Sequence, residues 1–348
     1  MATDEHSSNG RRARVTIQQL ATELGVSKAA VSFALNDKPG VSEETRQRVL
    51  AAAGERGWAA SIAARALSGQ GTGSIGLVLA RDATTLAFDN FYLRFIAGIQ
   101  AVLSPRDLTL TFQLVDTLEA ECAVYRRWVA QERVDAVIVV DLHVKDPRLP
   151  LLDELGLPAV IVGDRGSGDG PFAEVWTDDI APMTRLVNTL VELGHERIGL
   201  ISGLPSLRHT ERRVQAMQDA LGAHGLAALA THYTDYSREQ GAAAMADLLD
   251  SEERPTAVIA DSDQLALGAL TAARAAGARI PEDVGIVSWE DTPLCEITEP
   301  QLAALRRDPF DLGSVVASAL LDQRARRSPT SFEGIAPELI IRGSLAAR

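Results

Sequence analysis

The residues best placed to do chemistry near the start of the chain are Ser27, Lys28, Ala29, Ser32, Phe33 and Asn36. They lie on one side of a short helical pattern, opposite an apolar stripe of Ala30, Val31, Ala34 and Leu35. Hydroxyls, an amide, a cation and one outward ring suit hydrogen bonds to phosphates and contacts to base edges. On a small helix an exposed Phe33 otherwise only costs solubility. Bond-making motifs are missing: there is no Gly-x-Ser-x-Gly elbow, no Cys/His cluster at metal spacing and no Gly-x-x-x-x-Gly-Lys phosphate loop. Gly71-Thr72-Gly73-Ser74-Ile75-Gly76 has a dinucleotide-like look, but it precedes a strand pattern where that fingerprint follows one. These residues point to a binding protein with no catalytic residue, metal or cofactor.

The elements that must position them are short. Thr16-Ile17-Gln18-Gln19 is a capping box, followed by Ile17, Leu20, Ala21 and Leu24 at helical spacing. Gly25 supplies the left-handed stop, and Ser27 is a second cap. A helix-turn-helix between Thr16 and Asn36 is the result; two packed surface helices of no special role are the bland alternative. Ser42 then caps a third helix to about Arg56, with Val49, Ala52 and Ala53 closing a small core, before Gly57 and Trp58. Ser61–Gly69 is about two helical turns, too short to be stable alone. With Gly69–Gly73 behind it, it also reads as an ordinary linker.

A length of 348 residues fits a small module plus a larger body, and 46% hydrophobic residues can fill a core. The net charge of −13 runs against DNA binding, but it is unevenly spread. From Arg11 to Gln70 nine Lys/Arg face five Asp/Glu, a net of +4, which leaves −17 on the rest. A basic head on an acidic body confines DNA contact to the head. Two cysteines, Cys122 and Cys295, make no framework, and Met1–Gly10 lacks the apolar core of a signal peptide. The expectation is a cytoplasmic, nucleoid-associated protein with reduced thiols, no membrane span and a disordered lead-in over 1–14.

From Ser74 onward apolar runs alternate with helical patterns. Ile75–Ala80, Leu108–Val115, Val134–Val140 and Ala159–Val162 read as buried parallel strands with helices between them. After about Asp164 the alternation restarts, through Val175–Thr177, Ile198–Ser202, Tyr233, Ala257–Ala260 and Val284–Ser288. The tail from Leu302 reads as two strands and a helix shared between lobes. Two such runs imply two similar lobes, with a ligand site between them at the carboxyl ends of the strands.

The chain resembles the LacI/GalR family of transcriptional regulators. The matching stretches at the start are Val26-Ser27 through Val31-Ser32, Leu35-Asn36, Val41-Ser42 with Thr45-Arg46, and Ala64-Arg65-Ala66-Leu67. In the body they are Leu193–Gly199, Asp263–Gly268, Pro281–Val284 and Trp289–Leu294. The resemblance covers nearly all of Val15–Arg348 and implies an α/β fold: an all-α headpiece ahead of a bilobed, periplasmic-binding-protein-like body of two Rossmann-like lobes. It implies a major-groove helix whose Lys28, Ala29 and Phe33 face bases. Lys28 can donate to guanine, and Phe33 can touch a thymine methyl. Thr16, Ser27, Ser32 and Asn36 are then phosphate contacts, Trp58 supports the hinge, and Ala64 and Leu67 belong to a hinge helix with Leu67 as a minor-groove wedge. For the effector it implies Arg213, Asp263, and Glu290 or Asp291, with Phe91 and Tyr92 as an aromatic pair. Trp176 and Trp289 are further stacking candidates. Relatives carry Phe/Tyr-Asp-Asp where this chain has Trp289-Glu290-Asp291.

The function these expectations compose is a DNA-binding transcriptional repressor under effector control. Its partners are a palindromic double-stranded operator, a small carbohydrate-like effector and a second copy of the chain, since helix-turn-helix proteins usually read two half-sites. The domains expected are 15–60 for DNA, 61–73 for hinge and linker, and 74–348 for effector and dimerisation. Lobe 1 is drawn at about 74–163 plus 294–325, and lobe 2 at about 164–293 plus 326–348. A solute-binding protein is the alternative the body alone permits; the headpiece and the absent leader speak against it.

Overall fold

The computed structural model of the chain describes residues 15–36, 38–56, 58, 71–87, 89–165, 170–326, 331–334 and 336–348. The expected lead-in over 1–14 and the expected hinge helix with Ala64 and Leu67 lie outside the described residues. The chain divides into two compact units, residues 1–70 and 71–348.

The first unit holds α1 (Ile17–Leu24), α2 (Lys28–Leu35) and α3 (Glu43–Glu55). Thr16 and Gln19 close the capping box, and Gly25 ends α1 at φ 67°, a region that favours glycine. Ser27 and Ser42 cap the next two helices through their side chains. Leu20, Ala21, Val31, Ala34, Val49 and Ala53 form the buried core, with Trp58 packed against it.

Among the described residues the second unit is built from twelve strands and the helices between them. Its first sheet has the order β11-β5-β4-β3-β1-β2. Those strands are β1 (Ser74–Ala80), β2 (Thr109–Val115), β3 (Ala136–Val139), β4 (Ala159–Val162), β5 (Ala173–Trp176) and β11 (Ser331–Glu333). The second sheet has the order β12-β10-β9-β8-β6-β7. It contains β6 (Ile198–Ser202), β7 (Thr231–Tyr233), β8 (Ala257–Ala260), β9 (Gly285–Ser288), β10 (Ala303–Arg306) and β12 (Glu338–Ile340). Pairing is parallel throughout except between β10 and β12. Inner strands such as β3 and β8 are buried on both faces, which is why their sequences run apolar without alternation.

The helices of this unit are α4 (Ala83–Leu86), α5 (Asn90–Leu103), α6 (Leu118–Ala130), α7 (Arg148–Glu154), α8 (Ile180–Glu192), α9 (Arg208–Ala223), α10 (Arg238–Asp250), α11 (Asp263–Ala275), α12 (Pro293–Ile297) and α13 (Pro309–Arg326). Among the described residues no helix is long and apolar enough to cross a membrane.

The lobes divide differently from the sequence expectation. β5 pairs with β4 and with β11, so 173–176 and 331–333 belong to the first lobe. β10 pairs with β9, so 303–306 belongs to the second. The chain therefore passes between the sheets after β5, after β10 and again between β11 and β12, and the tail carries three strands. Apolar periodicity marks a strand but carries no information about which sheet it joins.

α5 and α13 cross closely on lobe 1. A β-carbon at Gly98 would run into the Phe310 carbonyl, and one at Gly313 into the Phe95 carbonyl. Gly98→Ala is expected to cost about 1–3 kcal/mol by forcing the helices apart, a fall of several degrees in the body's Tm by calorimetry. An unchanged Tm would mean this crossing is not tight.

Candidate nucleic-acid interface and effector cleft

In the headpiece, Lys28, Ala29 and Phe33 are exposed on α2. Gly40, at φ 118°, lets the following loop approach the Phe33 ring; a β-carbon there would sit 3.1 Å from Phe33 Cδ2. The loop thus holds the ring on the surface. Ser27 Oγ accepts from Ala30 N at 3.1 Å; an accepting hydroxyl keeps its hydrogen for a phosphate. Thr16 is more committed: Oγ1 accepts from Gln19 N and donates to Gln19 Oε1. Asn36 Nδ2 donates to Ser32 O at 2.8 Å, which steadies the end of α2. Trp58 is half-buried against the headpiece core, with its N–H on Ala53 O at 2.8 Å.

The body has a cleft lined from both lobes. On the lobe 1 side, Arg81 follows β1 and donates from Nε to Asp141 Oδ2 at 2.7 Å. Asp141 follows β3 in a left-handed conformation, φ 51°. Arg148, nearly fully buried, holds that turn by donating to the carbonyls of Val140 and Asp141 at 3.0 and 2.9 Å. Asp89 caps α5, accepting from Tyr92 N at 3.2 Å. Phe91 and Phe95 stack with centroids 5.9 Å apart, and Tyr92 meets both edge-on.

On the lobe 2 side, α9 carries Arg213, whose Nε donates to Asp179 Oδ1 at 2.9 Å and whose Nη1 lies 3.5 Å from Asp261 Oδ1. Its guanidinium lies over the Trp289 ring at 4.3 Å. Ser202 Oγ and Gly203 N both donate to the other oxygen of Asp261. Tyr236, at φ 70°, packs where a β-carbon at Gly203 would stand, and its hydroxyl shares a hydrogen bond with His209 Nε2 at 2.9 Å.

The two sides meet. Arg81 of lobe 1 lies over the Tyr236 ring of lobe 2 at 4.6 Å. At the crossover, Arg307 donates to Glu290 Oε1 at 3.0 Å and lies over Phe91 at 4.8 Å. Elsewhere between the lobes, Arg208 N donates to Leu142 O at 2.8 Å, and Arg212 pairs with Asp164.

Five of the six effector candidates, Phe91, Tyr92, Arg213, Asp263 and Glu290, line this cleft. Asp263 is the first residue of α11, and Ser262, not Asp263, is the cap. Its Oδ2 accepts from Thr292 Oγ1 at 2.8 Å. Asp291 is a correction. Its carboxylate binds Arg306 Nε and Arg342 Nη1, each at 2.8 Å, and it does not line the cleft. Asp291 therefore anchors β10 and the tail rather than the ligand space. Trp176 donates from Nε1 to Ser331 Oγ at 3.2 Å and also lies outside the cleft lining, whereas Trp289 is buried beneath Arg213.

Sequence reasoning did not single out Arg81, Asp89, Asp141, Asp179, His209, Tyr236, Asp261 or Arg307. Asp141 and Asp261 follow buried strands closely, where ligand groups collect in open α/β sheets, and that rule pointed to them. Arg307 carries no local signal; it enters because the chain crosses between lobes there.

Burial sets the protonation pattern. His209 is pushed down to about 4 by burial and by Arg213, so it is neutral at pH 7. Burial also pulls against Asp141, but Arg81 holds its carboxyl well below the usual range. Asp89 is pushed up to about 6 by burial. Glu290 is pushed up to about 8 by burial, with Asp89 and Asp263 adding to the shift and Arg307 opposing it.

Unfolded, Glu290 titrates near 4.5, so the folded chain holds this proton more tightly. That contribution to stability is full below about 4.5 and is lost as pH rises through about 8. Glu290→Gln keeps a neutral group at every pH. Its Tm relative to the parent is expected to rise from pH 6 to pH 9, by on the order of 2 kcal/mol in stability. A pH-independent difference would show that Glu290 is ionised throughout.

Comparison with known proteins identifies both units. Residues 16–61 match the bacterial regulatory proteins of the lacI family, and residues 187–345 match a periplasmic binding protein-like domain. The HTH-type transcriptional regulator CelR of Thermobifida fusca is 33% identical over 319 residues, spanning 90% of this chain and 93% of CelR. The chain belongs to the LacI family. As a LacI-family member it is a sequence-specific DNA-binding transcriptional regulator and not an enzyme. The solved complex of CelR with cellobiose is 29% identical, with a TM-score of 0.72 over 95% of this chain and 100% of that one. The lac repressor dimer bound to operator and the anti-inducer ONPF has a TM-score of 0.81 over 96% of this chain and 100% of that one; at 23% identity it speaks for the LacI fold alone.

Proposed function

We propose that this regulator is a cytoplasmic repressor that binds a palindromic operator as a homodimer and is controlled by a small carbohydrate bound between its lobes. In this reading residues 15–60 form the DNA-binding domain, 61–73 the hinge and linker, and 74–348 the effector and dimerisation body. Lys28, Ala29 and Phe33 face base edges. Thr16, Ser27, Ser32 and Asn36 face phosphates, Trp58 braces the headpiece, and Ala64 and Leu67 enter the minor groove.

The observation that carries effector control is the stack of Arg81 on Tyr236, with side chains from both lobes lining one cleft. A ligand there touches both lobes at once, so its binding energy depends on their relative position, as a two-state control element requires. The cellobiose held by CelR supports a sugar as the ligand.

The test is selection of binding sites from a random duplex library at stated salt, repeated with neutral sugars. A short palindrome whose affinity changes with one sugar supports the reading. A site with no two-fold symmetry would overturn the homodimer, and a palindrome insensitive to every sugar would overturn carbohydrate control.

A further inference from the structure

The charges that line the cleft do not balance. Six acidic side chains face it, against three arginines and a His209 held neutral; of the six, Glu290, pushed up to about 8, is mostly protonated at pH 7. Two arginines are engaged by carboxylates, Arg81 by Asp141 at 2.7 Å and Arg213 by Asp179 at 2.9 Å, while Arg307 donates to Glu290 at 3.0 Å and keeps its Nε without a hydrogen-bond partner. Asp89 accepts from Tyr92 N, and Asp263 from the Thr292 hydroxyl and from Gln264, all neutral groups. Asp261 Oδ1 is buried without a hydrogen-bond partner, since Arg213 Nη1 stands 3.5 Å off.

The cleft therefore has surplus acceptors and surplus negative charge. A ligand that fits it must bring donors. Hydroxyl groups do so, because an O–H donated to a carboxylate makes a short, strong hydrogen bond. A phosphate or carboxylate brings only acceptors and a like charge, and like charges set side by side at an interface strongly suppress a wrong partner. To pair with Arg81 or Arg213 it would also have to pull that arginine from a carboxylate that is then left buried and unpaired.

Resting on the assignment of this cleft as the effector site, we infer that the effector is an uncharged polyhydroxyl compound, and that Asp89 and Asp263 are specificity-determining residues that exclude phosphorylated and uronic-acid sugars. Arg307 Nε, buried without a hydrogen-bond partner, gives such a ligand one donor to accept from.

The experiment is titration calorimetry on the full chain with neutral mono- and disaccharides, cellobiose and maltose among them, each paired with its 6-phosphate and its uronic acid. A neutral sugar should bind, and its anionic partners should bind at least about tenfold more weakly. In Asp89→Asn/Asp263→Asn that ratio should shrink several-fold, even if overall affinity also falls. Tight binding of a phosphorylated or uronic form, lost in Arg213→Met, overturns the exclusion while leaving the cleft as the effector site. An unchanged ratio in the double variant overturns the role of Asp89 and Asp263. Failure of every sugar, neutral or anionic, overturns both the exclusion and the carbohydrate reading beneath it.

Discussion

Arg213→Met is expected to make operator affinity insensitive to the effector, with effector affinity reduced by at least about 100-fold. The size follows from how the side chain is held. Arg213 is almost fully buried, bound to Asp179, beside Asp261 and over the Trp289 ring. Removing one partner of a buried charged set commonly costs about 3–5 kcal/mol, because the others stay behind uncompensated. A ligand that needs Asp261 and Arg213 in register loses both. Arg213→Lys separates the causes: it keeps the charge but loses the planar fork that reaches two carboxylates. Its Tm should fall less than that of the Met variant, while effector affinity still falls by an order of magnitude or more. Calorimetry for the effector and gel shift for the operator read the two effects apart. An Arg213→Met protein that still responds to the effector would move the site out of this cleft.

Leu20→Ala is expected to abolish operator binding and leave effector binding unchanged. Leu20 is fully buried in a core that, among the described residues, holds six buried side chains, with Val31, Ala34, Val49 and Ala53 on the two helices around it. Losing a buried leucine costs about 3–5 kcal/mol. A unit of this size has only a few kcal/mol of stability in hand, because small domains bury a small fraction of their surface. The headpiece should unfold while the body, with its own separate cores, keeps its thermal transition. Gel shift and effector calorimetry on the same preparation test this. Retained operator affinity would mean the headpiece is stabilised from elsewhere.

The headpiece was legible from sequence because its determinants are local. Thr16, Gly25, Ser27 and Ser42 act on the turns they adjoin, and the structure places each as a cap or stop of its helix. Strand positions in the body were legible for a related reason: burial on both faces leaves continuous apolar runs such as Ala136–Val139. Lobe membership was not, because a strand joins a sheet by backbone pairing that any apolar run can make. The sequence expectation therefore puts β5, β10 and β11 in the wrong lobes.

The cleft divides along the same line. Residues carried by family-like motifs, Arg213, Asp263 and Glu290, could be named from the sequence. Asp291, their neighbour in the same motif, could not be excluded, since only the tertiary fold brings Arg306 and Arg342 onto its carboxylate. A helix-turn-helix ahead of an alternating α/β body follows from residue order alone, because capping and periodicity are short-range. Which acids and arginines face one another depends on the folded chain. Arg81 meets Tyr236 across 155 residues of chain and Arg307 meets Phe91 across 216, and contacts at that range depend on how the lobes pack.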